Sequence, residues 1–207
     1  MKFKSDLSCD FRELLRWRRD VRHFLPEPID EQLIDQLEAD MELAPSVGNA
    51  RPWRVIRVDS ADLRAKVRGI FEACNATAAA GYDDERRRQY LRLKLAGIDI
   101  APVQLAVFTE CAPAEGHRLG RQTMPETLQQ STAMAIYTLW LAARSVNIGL
   151  GMVSILDRRR MEQLFDVPET WVFSAYLCLG RPEHEDDMPL LHRIDWQRNV
   201  SRRWVRR

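Results

Sequence analysis

Apolar positions along this chain alternate between helical and strand spacing. Phe11, Leu14, Leu15 and Trp17 recur on one helical face, and Asp10 stands where a cap is needed. Pro26 and Pro28 break the chain next, so Val21 to Leu25 is expected to leave as an extended segment. Asp30 caps a second predicted helix, with Leu33, Ile34, Leu37, Met41 and Leu43 apolar, which stops at Pro45. Trp53 to Val58 alternates apolar and polar residues, the pattern of a half-buried strand. Ser60 then caps a helix predicted to run to about Cys74. Tyr82 to Ile98 is charged early and apolar later, which reads as a helix with an exposed start. Val103 to Thr109 is almost wholly apolar and predicts a central strand.

Glu126 to Val146 is the longest apolar-rich helix, and it is apolar around much of its circumference. That marks a core or interface helix. The turn Asn147 to Gly151 leads into a strand predicted over Met152 to Leu156. Asp157 caps a short helix before Pro168, and Trp171 to Leu179 is a last strand closed by Gly180-Arg181-Pro182. Helices interspersed with three or four strands imply an α+β domain with a largely buried sheet. The 207 residues suit one domain, with a core over about 11–182 and a C-terminal extension over 183–207.

Charge and cysteine content narrow the partners. A formal net charge of +1 argues against a nucleic-acid binder working by bulk electrostatics. The basic end, Arg202, Arg203, Arg206 and Arg207 around Trp204, reads as a solvated or partner-wrapping extension. Cys9, Cys74, Cys111 and Cys178 are scattered without metal-ligand spacing, and the four histidines lie far apart, so no metal site is proposed. The polar start argues against a signal peptide, and no uncharged apolar run reaches membrane length. The expected setting is the cytoplasm, away from membranes, with reduced thiols. Gly149-Leu150-Gly151 follows a helix and lacks a third glycine, so it is no dinucleotide fingerprint.

The densest chemistry lies in Arg18-Arg19-Asp20-Val21-Arg22. Were it helical, Arg18 and Arg22 would share a face and could grip a phosphate through charge-assisted hydrogen bonds. Asp20 opposes anion binding and needs a reason to be there; taken alone, it neutralises an exposed charge cluster. The loop Pro45 to Trp53 is fixed by prolines and rich in donors, a credible ligand wall.

Arg18-Arg19-Asp20-Val21-Arg22-His23-Phe24 resembles the flavin-phosphate motif of nitroreductase-like flavoproteins. Ala44-Pro45-Ser46-Val47-Gly48-Asn49, continuing to Pro52-Trp53, is similar to their second flavin-contacting loop. Three further blocks, Tyr90 to Gly97, Leu119 to Glu126 and Gly149 to Leu156, resemble the branch of that family that makes 5,6-dimethylbenzimidazole. Arg51 and Met152 depart from its pattern, which has glutamine and tryptophan there. The resemblance implies a mostly antiparallel sheet flanked by helices, in a fold completed by dimerisation. It implies FMN contacts from Arg18, Arg19, Asp20, Val21, Arg22, Ser46, Leu93 and Ser154, with Asp20 and Ser154 as catalytic residues. Leu93 is expected to form part of a lid. Reduced FMN would be the substrate and O2 the co-substrate, giving 5,6-dimethylbenzimidazole (the lower ligand of vitamin B12) and erythrose 4-phosphate. The flavin site would lie at the interface of a homodimer, with a separate reductase supplying the reduced flavin. The alternative is a conventional FMN-dependent NAD(P)H nitroreductase, quinone reductase or cob(II)alamin-type reductase.

Overall fold

The structure is a computed structural model that describes residues 3, 4, 6–93 and 97–207. Lys94, Leu95 and Ala96, within the third block of the family resemblance and the helix expected over Tyr82 to Ile98, lie outside the described residues.

Four strands form one antiparallel sheet: β1 (Trp53–Arg57), β2 (Val103–Glu110), β3 (Gly149–Val153) and β4 (Trp171–Gly180), in the order β1-β2-β4-β3. The nearly continuous apolar runs become the two central strands, as burial on both faces requires. Alternate residues then feed two separate cores. Val107, Leu150 and Leu177 pack with Leu37 and Met41 of α2 (Glu31–Met41) and with Leu139 of α6 (Thr127–Ser145). On the other face, Phe108, Val153 and Tyr176 meet Val67 and Ile70 of α3 (Ala61–Ala80) and Met161 of α7 (Arg158–Leu164).

Several expected boundaries move. The first helix, α1 (Leu7–Trp17), starts a turn earlier than Asp10, which lies in its first turn. Asp30, Ser60 and Asp157 all cap as expected, accepting from the backbone N–H of Gln32, Leu63 and Arg160. α3 continues six residues past Cys74, because Asn75 to Ala80 carries no breaker before Gly81. The helix expected over Tyr82 to Ile98 is two pieces, α4 (Asp84–Arg92) and α5 (Gly97–Ile100). The strand expected over Met152 to Leu156 begins three residues sooner and ends before Ser154, because Gly149 and Leu150 pair with Gly180 and Leu179. Beyond β4, α8 (Leu190–Arg193) adds a short helix inside the expected extension.

One close approach places the site. A Cβ on Gly151 would collide with the carbonyl oxygen of Val21, and one on Gly149 would stand 2.8 Å from the Val21 side chain. The chain near residue 21 therefore lies directly against β3, which only glycine allows. Gly151→Ala is expected to push this segment away and cost about 1–3 kcal/mol of stability, as overpacking does. Chemical denaturation checks the value.

Candidate active site

The helical period of α1 ends at Trp17. Arg18 is already extended, with φ −71° and ψ 109°. Val21 N–H then donates to the Leu150 carbonyl at 3.1 Å, and Asp20 bridges Leu150 in parallel sense, so residues 20–21 lie along the edge of β3. Arg18 and Arg22 consequently do not share a helical face. The tertiary bond to β3 overrides the local spacing.

The three arginines have different surroundings. The Arg18 guanidinium lies 5.0 Å from the ring centroid of Trp140 and 5.9 Å from that of Tyr137, both on α6. Arg19 turns toward the segment after β4. It lines a small cavity with Trp17, His184 and Asp186, and its carbonyl accepts from Trp140 Nε1 at 3.1 Å. Burial, and then the charge of Arg18, lower the Arg19 pKa against the pull of Asp186 and Asp187. Arg22 is the partner of the carboxylate, with Nε 3.5 Å from Asp20 Oδ2. Among the described residues, Nε of Arg18 and Nε of Arg19 are buried without a hydrogen-bond acceptor, while Arg19 Nη2 donates to the Arg16 carbonyl. Two buried cationic donors without acceptors suit an anionic group from outside the chain. The residues present therefore fit the phosphate of a flavin nucleotide.

Asp20 is held by two contacts. Its Oδ1 accepts from the backbone N–H of Met152 at 3.0 Å, and Oδ2 faces Arg22. The side chain keeps 38% of its surface open. Burial raises its pKa, and the Met152 N–H and Arg22 oppose that without cancelling it. The carboxylate is thus fixed, accessible and less acidic than usual. Because the bond to residue 152 runs through the backbone, methionine serves there without loss of this contact. Ser154 follows two residues on, just past the end of β3, exposed and without a side-chain hydrogen bond among the described residues. Asp20, Arg18, Arg22, Val21 and Ser154 therefore gather around β3.

Ser46 lies elsewhere in the same chain. Val47 N–H donates to Ser131 Oγ at 3.0 Å, near the start of α6, while Arg19 meets Trp140 nine residues along. That separation is about 13 Å along the helix axis. Ser46 Oγ accepts from Arg51 N–H at 3.0 Å, closing its own loop. Arg51 has φ 45° and pairs with Glu42 at 2.8 Å, so it is a structural cation of this loop. Leu93 ends α4, its N–H donating to Tyr90 O at 2.9 Å, and is half-buried.

Between α6 and the β3–β4 edge lies a groove of about 440 Å³, lined in part by Tyr137, Trp140, Met152, Arg158, Phe173 and Ser174. Among the described residues, no cluster of histidine, cysteine, aspartate and glutamate could hold a metal ion, and no helix is long and apolar enough to cross a membrane.

Residues 15–181 match the Nitroreductase family. The chain belongs to the nitroreductase family. Within it, the chain is 60% identical to a 5,6-dimethylbenzimidazole synthase of Rhodobacter capsulatus, over all of both chains. It is 50% identical to one of Rhodospirillum rubrum, over 94% of this chain and 92% of that protein. Iodotyrosine deiodinase, solved with FMN and 3-iodo-L-tyrosine, superposes with a TM-score of 0.73 at 21% identity, covering 95% of this chain and 97% of that one. This likeness is one of fold.

The groove between α6 and the β3–β4 edge includes residues that sequence reasoning missed. Tyr137 and Trp140 read only as apolar positions of a core or interface helix. Ser174 is the extra residue of a β-bulge, where the β2–β4 register slips between Val107 and Phe108. Its Oγ lies 2.7 Å from Thr109 Oγ1, which reaches Thr132 Oγ1 of α6 at 2.8 Å, and both threonines are fully buried. A polar residue inside the apolar run Trp171 to Gly180 was the only available signal. Thr109→Val is expected to remove the bonds to both hydroxyls, leaving Thr132 Oγ1 on Leu128 O and Ser174 Oγ on Val172 O, each at 3.3 Å, and to cost about 1 kcal/mol, read by denaturant unfolding.

Proposed function

We propose that this chain catalyses the oxygen-dependent fragmentation of reduced FMN to 5,6-dimethylbenzimidazole and erythrose 4-phosphate. The observation that carries the reading is Asp20. A conventional flavin reductase has no evident use for a carboxylate beside an anion site, yet here Met152 N–H and Arg22 hold one in place. Names of relatives 50–60% identical over nearly the whole chain support the same reading, and they disfavour a conventional nitroreductase.

Reduced FMN, when bound, supplies both the electrons that O2 accepts and the carbon skeleton of the product. The unpartnered donors of Arg18 and Arg19 bind its phosphate, and the phosphate in turn offsets their burial. Arg22 and Met152 N–H orient Asp20, which takes up a proton at the ribityl carbon that becomes C2 of the benzimidazole. Ser154, whose hydroxyl has no partner among the described residues, would donate a hydrogen bond to the flavin ring. Leu93, at the end of α4, covers the site and keeps water out. Val21 holds the segment to β3 through its backbone.

The site belongs to the interface of a homodimer built from one domain per chain. Met134 and Tyr137 on α6 are 41% and 42% exposed, an apolar face of the kind a partner covers. Ser46, about 13 Å from the arginines along α6, serves the flavin from across that interface. Reduced flavin comes from a separate reductase, since the chain carries no nicotinamide fingerprint, and the cytoplasm is the natural compartment for that exchange.

Incubation with reduced FMN in air, followed by chromatography, is expected to yield 5,6-dimethylbenzimidazole; return of all flavin intact overturns the reading. Asp20→Asn should still bind FMN while product formation falls about 10²–10⁴-fold, the usual worth of a general base. The pH profile supplies a further check. A base must be ionised, and burial raises the Asp20 pKa, so activity should fall on the acid side above the ordinary carboxylate range. That acid limb should be missing from the residual activity of Asp20→Asn.

A further inference from the structure

The segment after β4 does not trail into solvent. Phe24 bridges Pro182, and Glu183 N–H donates to the His23 carbonyl at 3.1 Å, so the segment starts against the residues that follow Asp20. Arg144 of α6, whose side chain is only 15% exposed, then pairs with Glu185 at 2.7 Å. α8 knots the next stretch: Gln197 N–H donates to Leu191 O at 3.0 Å, and Asn199 N–H to His192 Nδ1 at 3.2 Å.

From Arg193 to Val200 every residue is exposed except Trp196. Its indole meets Tyr82 edge-on, with centroids 5.7 Å apart and planes at 81°. Tyr90 of α4 lies 6.5 Å away, and the Arg86 guanidinium sits 5.3 Å from the indole centroid. Tyr82 and Tyr90 are 5.1 Å apart, and Tyr90 Oη donates to Asn75 Oδ1 of α3 at 2.7 Å. Among the described residues, α4 otherwise packs mainly against α3. It is nine residues long, starts Asp84-Glu85-Arg86-Arg87-Arg88-Gln89, and its Leu91 is 53% exposed. A helix that short and polar needs tertiary contacts to persist.

We propose that Trp196 is a positioning residue: through Tyr82, Tyr90 and Arg86 it holds α4, and hence Leu93, over the flavin site. The segment 183–196 thereby ties the stretch carrying Asp20 to the helix that covers it. This rests on the reading of Leu93 as part of that cover, but its test does not depend on flavin fragmentation.

The test is hydrogen exchange, resolved by peptide, on the full chain as wild type, Trp196→Ala and Trp196→Phe, each with and without saturating oxidised FMN. Without FMN, amides of residues 84–92 should exchange at least about tenfold faster in Trp196→Ala, with β3 unchanged and Trp196→Phe close to wild type. FMN should slow α4 in wild type and Trp196→Phe but not in Trp196→Ala. Unchanged α4 exchange in Trp196→Ala overturns the proposal, as does acceleration shared by β3 or a phenylalanine variant as fast as alanine. So does an FMN effect on α4 that is missing from wild type or persists in Trp196→Ala. Product formation plays no part in the readout, so a failure of the fragmentation chemistry would be seen separately.

Discussion

A short length of backbone laid against a glycine-lined strand organises this molecule. Val21 bonds to Leu150, Asp20 bonds to the N–H of Met152, and Gly149 and Gly151 leave room for both. This contact sets the direction of every side chain from Arg18 to Arg22. It turns what would be a helical charge stripe into three separate environments: a guanidinium over aromatic rings, a guanidinium facing acidic residues, and a guanidinium paired with a carboxylate. An exposed ion-pair cluster contributes little and has no fixed geometry. A backbone N–H holding one carboxylate oxygen gives Asp20 a position that a reaction can use.

The same contact joins the site to the long-range packing. β3 is an edge strand, paired on one side with β4, and its other side takes the bridge from Asp20 to Leu150. Leu150 belongs to the core shared with α6, and α6 also carries Trp140, which lies under Arg18 and donates to Arg19 O. The arginine segment, the strand and the central helix are therefore one mechanical unit. The buried Nε donors of Arg18 and Arg19, without acceptors among the described residues, are a cost in the chain alone, and an anionic ligand is the natural means of offsetting it. Stability given up at this point is consistent with a binding site.

The segment beyond β4 extends that unit outward. It begins beside His23 and Phe24 and ends, for packing purposes, at Trp196 against Tyr82 and Tyr90. Residues 183–199 pack on their own chain, and the end read as a solvated or partner-wrapping extension, Arg202 to Arg207, lies beyond them. Val200, Trp204 and Val205 beyond them are exposed.

Much of this protein was legible in its residues alone. Apolar spacing and caps at Asp30, Ser60 and Asp157 located the helices, and the apolar runs identified the central strands, because these are local properties of the chain. Family resemblance marked Arg18 to Arg22, Ser46, Leu93 and Ser154 as a set. Tertiary structure alone decided that Arg18 and Arg22 do not share a face and that Asp20 is bonded to Met152 N–H. It alone put Ser174 at a bulge above buried Thr109, and left Ser46 about half the length of α6 from the arginines. The reason is physical. Spacing along a chain encodes repeats within one helix or strand, whereas each of these placements is a bond between segments many tens of residues apart.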